Sequence, residues 1–93
     1  MTALELIDKK FAADMLAEAR ASRARSPGPK PIATILFASV GTLALALMEI
    51  RSGKMKDWWK VHDAAVAVAA MALRIAEEGD PVLGVVPTEE NCA

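Results

Sequence analysis

Tyrosine is absent from this chain of 93 residues, which holds one cysteine, two tryptophans and two phenylalanines. The single thiol, Cys92, excludes an intrachain disulfide and a cysteine-built metal site. Neither sign of charge dominates: 11 Lys and Arg face 12 Asp and Glu, for a net charge of −1. That balance excludes a nucleic-acid binder driven by bulk charge and a strongly acidic disordered chain. The first twenty residues contain no uninterrupted apolar run, because Glu5, Asp8, Lys9, Lys10, Asp14, Glu18 and Arg20 punctuate them. With no secretory pattern to read there, a cytoplasmic protein is the expectation.

What the chain does have is aliphatic surface. Hydrophobic residues make up 54% and the mean hydropathy is +0.27. Most of that share is Ala, Leu, Val, Ile and Met, a helix-packing palette. A chain this short makes one domain, residues 1–93, close to the lower limit for closing its own core. Apolar surface in such excess must be covered by a partner subunit or by a membrane. Charge is also uneven along the chain, with a basic middle (residues 27–60) and an acidic end (residues 61–93). That asymmetry suits pairing between segments or subunits, and it also suits an ordinary solvated surface.

Three helices are predicted. Thr2 and Glu5 have the spacing of a capping box. Behind them Leu4, Ile7, Phe11 and Met15, widened by Leu16 and Ala19, recur at helical spacing, so residues 3–24 read as an amphipathic helix. A Pro/Gly-rich break at 25–31 stops it, since three prolines remove donors and push their neighbours out of helical geometry. Residues 32–52 form the second helix, uncharged as far as Met48 and apolar all round, with Arg51 and Gly53 as stop signals. Asp57 is placed to cap a third helix over 57–78, rich in alanine and ended by Gly79-Asp80-Pro81. Met15, Met48, Met55 and Met71 read as core filler. A short tail, 82–93, completes the chain. The fold class is therefore all-α, an oligomeric helical bundle joined through its second and third helices as a dimer or tetramer.

The order of elements, with Val40-Gly41-Thr42-Leu43-Ala44 inside the second helix and the run from Asp63 to Ala72 in the third, resembles the MazG-like all-α nucleotide pyrophosphohydrolases of phages and bacteria. The resemblance spans most of residues 3–87. It implies a Mg²⁺-dependent cleavage of nucleoside triphosphates to monophosphate and pyrophosphate. It also implies an acidic motif, Glu-Glu-x-x-Glu on one helix and Glu-x-x-Asp on the next. Laid on this chain, those positions fall on Ala38, Ser39 and Thr42 and on Ala64 and Ala67, and none is a carboxylate. Magnesium wants oxygen ligands in octahedral array and gives up its water reluctantly, so five neutral side chains should not hold it. The expectation is a protein of that fold with hydrolysis impaired or lost, no cofactor, and a role as a helical assembly or a nucleotide- or partner-binding module. Losing a buried cluster of like charges should also stabilise the metal-free protein.

Other residues keep alternatives open. Asp63, His62 and Glu49 are the candidates for a rearranged acidic site in an active enzyme, helped by Glu77 or Glu78 of a neighbouring subunit. Glu49 lies at least seven residues from the motif positions, roughly 10 Å along a helix. A His-Asp dipeptide on a helix is otherwise a solvated edge. Trp58 and Trp59 offer a base-stacking platform, and Lys54, Lys56 and Lys60 could meet phosphates. Equally, the tryptophans could fill space between helices while the lysines keep a turn soluble. A different class of reading is a single membrane span over 32–48, at the bottom of the about 17–25 residues required. Bases flank both ends of that stretch, so it lacks the charge asymmetry that orients a span.

Overall fold

A computed structural model describes residues 2–27, 31–53, 58–81 and 83–84, the side chain of Ile7 excepted. Three helices account for its regular structure: α1 (Ala3–Arg25), α2 (Ile32–Arg51) and α3 (Trp58–Glu78). The all-α fold is as the sequence predicts, with ends displaced by a single residue. The expected cap Asp57, the methionine Met55, Cys92 and most of the 82–93 tail lie outside the described residues.

Each helix end has a local cause. The Thr2 hydroxyl accepts the Glu5 N–H at 3.2 Å, the hydroxyl half of the expected capping box. Ser26 closes α1 by donating its N–H to Ser22 O at 2.8 Å, and Pro27 follows. At the end of α2, Gly53 adopts φ 78° and donates to Ile50 O at 3.1 Å; Gly79, at φ 76°, donates to Ile75 O in the same role after α3. The start of α2 is different. Pro31 occupies its N-cap and has no side chain able to cap. The missing acceptor comes from Asp80, whose Oδ2 takes the Ala33 N–H at 2.7 Å.

The arrangement is a row with α3 in the middle. It packs on α1 along one side and α2 along the other, while α1 and α2 make no close backbone approach to each other among the described residues. Pairings such as Asp14 with His62 and Arg23 with Glu78 show α1 and α3 running in the same direction. Asp80 lies against the start of α2, so α2 runs antiparallel to α3. Ala19, Ile32, Ala70 and Met71 form the shared core, with Met15, Leu36, Leu73 and Ile75 packed around it.

A row leaves much apolar surface uncovered. Leu4 and Leu6 on α1 are exposed. Asp14 sits level with His62, so residues near Lys10 are level with the first turn of α3 and anything earlier overhangs it. Met48, expected in the core, is 66% exposed, because it points from α2 away from α3. On α2 only Ile32, Ala33 and Ala46 are buried. The radius of gyration is 14.9 Å, against about 12 Å for a compact domain of this length.

Candidate functional site

Some of the residues singled out in the sequence meet at one place. A cavity of about 420 Å³ opens between α2 and the first half of α3, lined by Thr42, Leu45, Ala46 and Glu49 from α2 and by Trp59, Lys60, Asp63, Ala64 and Ala67 from α3. Helical periodicity builds both walls. Thr42, Ala46 and Glu49 repeat at four and three residues, as do Lys60, Ala64 and Ala67, so each set forms one stripe. Small side chains at Ala46, Ala64 and Ala67 leave the gap open where larger ones would fill it.

Three of the five motif positions, Thr42, Ala64 and Ala67, line this cavity. Ala38 and Ser39 stand about a turn before Thr42, outside its lining. The two hydroxyls are engaged with their own helix: Ser39 Oγ donates to Ile35 O at 3.0 Å and Thr42 Oγ1 to Ala38 O at 3.2 Å. Among the described residues, no group of three or more His, Cys, Asp or Glu could hold a metal ion. At Thr42, Ala64 and Ala67 the lining offers methyl groups and one hydroxyl already engaged with its own helix, which are poor ligands for Mg²⁺.

The remaining candidates divide. Glu49 and Asp63, from facing helices, both reach the cavity. The distance along α2 that seemed to isolate Glu49 is two helical turns, which returns it to the face of Thr42. Trp59 and Lys60 stand beside them, and the Lys60 ammonium lies 5.7 Å from the centre of the Trp59 ring. Trp58 is outside the lining and 64% exposed, so it fills no interhelical space. Lys54 and Lys56 lie outside the described residues.

His62 points the other way, toward α1. Its Nε2 is 2.8 Å from Asp14 Oδ2, and its ring meets Phe11 edge to face at 5.6 Å between centroids. Lys10 also reaches Asp14, at 3.0 Å. The His62 hydrogen bond, followed by that from Lys10, holds the Asp14 carboxyl below its ordinary range. His62 thus ties α1 to α3 and is removed from the cavity.

Sequence reasoning missed the most buried charge among the described residues. Arg74 has no exposure, and its guanidinium spans the Glu78 carboxylate with two bonds, Nε at 2.7 Å and Nη2 at 3.0 Å. Its other contacts are Ser22 Oγ at 3.0 Å and Ser26 O at 2.9 Å. Arg23 then reaches Glu78 at 3.1 Å and Glu77 at 2.8 Å. Glu77 and Glu78 are therefore engaged at the far end of α3, not free acids for a metal site. The available signal was the spacing of Arg74 and Glu78, four residues apart on a helix, with Arg74 the only Lys or Arg after residue 60.

Comparison with protein-family profiles, curated proteins and solved structures finds no match to this chain.

Proposed function

We propose that this chain is a MazG-like helical protein that keeps a ligand groove between α2 and α3 without metal-dependent hydrolysis, acting as a homo-oligomeric nucleotide- or partner-binding module. The observation that carries this reading is that Thr42 on one wall and Ala64 and Ala67 on the other line the same cavity. Where the resemblance implies carboxylates, the cavity has methyl and hydroxyl groups. Its volume is within the about 300–1,000 Å³ usual for small-molecule sites. Trp59 supplies an aromatic face for a base and Lys60 a cation for a phosphate, both at the cavity edge.

The test is an assay of the purified protein with each deoxynucleoside triphosphate and Mg²⁺ or Mn²⁺. Binding should quench tryptophan emission, with the response lost in Trp59→Leu, and no pyrophosphate should appear. Chelator-sensitive pyrophosphate release would reject the reading.

A second reading has its own observation. Glu49 and Asp63 approach the same cavity from opposite walls, the minimum from which a rearranged acidic site could be assembled. Calorimetric Mg²⁺ binding that disappears in Asp63→Asn would favour it. The two carboxylates alone give the metal far fewer oxygens than octahedral coordination needs.

A further inference from the structure

The cavity between α2 and α3 has an uneven inventory of hydrogen-bonding groups. Glu49 from one wall and Asp63 from the other bring carboxylates, which accept and cannot donate. The Thr42 hydroxyl has already given its proton to Ala38 O, so it too can only accept. Neither carboxylate has a hydrogen-bond or ion-pair partner among the described residues. The donors on the lining, the Trp59 indole and the Lys60 ammonium, both belong to the first turn of α3. That ammonium lies 5.7 Å from the centre of the Trp59 ring and forms no ion pair with Asp63, three residues along. Leu45 and three alanines make up the rest of the lining.

We infer that this cavity takes a small organic cation, a protonated primary amine on an apolar body. Its ammonium is held by Glu49 and Asp63, and its body lies along the alanines. This rests on the ligand groove proposed above, though not on a nucleotide filling it.

The lining separates the amine from other occupants. A phosphate meets two carboxylates for one ammonium, which confines it to the Lys60 edge. Magnesium needs about six oxygens and sheds its water reluctantly, and two carboxylates fall well short. A neutral apolar molecule displaces water from the carboxylates and gives them no partner in return. A primary ammonium carries three donors and no acceptor, and its positive charge offsets the surplus negative charge of the lining. It has no fixed coordination geometry to satisfy, so acceptors on two walls are enough. The Trp59 face adds attraction for a cation, as the position of Lys60 already shows.

The probe is phenethylamine, protonated at neutral pH, titrated by calorimetry into the full chain in the presence of chelator. Phenethyl alcohol serves as its neutral counterpart and phenylacetate as an anionic one. The amine should bind about 10-fold more tightly than the alcohol, and phenylacetate more weakly than either. Glu49→Gln and Asp63→Asn conserve shape at side chains that are half-buried and exposed, so circular dichroism should be unchanged in both. Each should bring the amine toward the affinity of the alcohol and leave the alcohol where it was. Equal binding of amine and alcohol, or amine binding unmoved in both variants, would overturn the inference. Deoxynucleoside triphosphates are titrated in parallel. If they bind and the amine does not, the inference falls while the groove stands; if neither binds, both fall. Amine binding without nucleotide binding would support the inference and remove the nucleotide from the proposed function.

Discussion

The carboxylate of Asp80 accepts the N–H of Ala33 at 2.7 Å across a sequence separation of 47 residues, so the exit of α3 caps the entrance of α2. Its other oxygen takes the Leu83 N–H at 3.3 Å. One buried side chain thereby fixes where the chain leaves α3 and where α2 begins. The groove between these two helices depends on that alignment.

Asp80→Ala should therefore behave as the loss of a helix cap and of a buried acceptor together. A destabilisation of about 1–2 kcal/mol is expected from the cap alone. Urea unfolding measures it, and Asp80→Asn, which retains an acceptor oxygen, should recover part of the loss. Equal stability of wild type and Asp80→Ala would show that the contact contributes nothing.

Arg74 should be the costliest charge to remove. Arg74→Ala strands the Ser22 hydroxyl, the Ser26 carbonyl and one side of Glu78, so a loss of about 3–5 kcal/mol is expected. Arg74→Met keeps the packing of the stem and removes the charge. It should fall between alanine and wild type in thermal unfolding.

Acid should weaken the same junction. The Arg74 hydrogen bonds, and after burial's opposing effect those from Arg23, hold the Glu78 carboxyl below its ordinary value of 4.5. A carboxyl depressed in the folded state binds fewer protons there than in the unfolded chain. Its stabilisation is complete above the ordinary carboxylate range and is lost as pH falls through the folded value. Asp14, depressed by His62 and Lys10, shifts stability in the same direction. Unfolding followed by circular dichroism across that range should show the decline, with a shallower slope for Glu78→Gln. An unchanged slope would remove Glu78 from this account.

Placing acids in the cavity should give it a demand for a cation. The triple variant Thr42→Glu, Ala64→Glu, Ala67→Asp places three carboxylates around one volume, where they repel each other unless a cation enters. Its melting temperature should fall below wild type in chelator and rise on adding Mg²⁺, while wild type should not respond. A variant insensitive to Mg²⁺ would show that these positions do not share a metal-sized volume.

How much of this was legible beforehand differs by feature. The helices were, because Thr2, the prolines at 27, 29 and 31, Gly53 and Gly79 act through their nearest neighbours. The cavity was legible only in part: of the five positions implied by the resemblance, Thr42, Ala64 and Ala67 line it and Ala38 and Ser39 do not. His62 and Glu49 were not assignable. Both follow helical periodicity, but which neighbour each face meets depends on how the helices are stacked.

The sequence by itself determined the three helices and most of their ends, because these follow from local backbone preference and from capping side chains. Only the tertiary structure decided that α3 lies between the other two, that Arg74 and Asp80 bind the helix ends together, and that one face of α2 is left bare. Those outcomes arise from contacts between residues about fifty positions apart, whose energies depend on burial and alignment that no local pattern encodes.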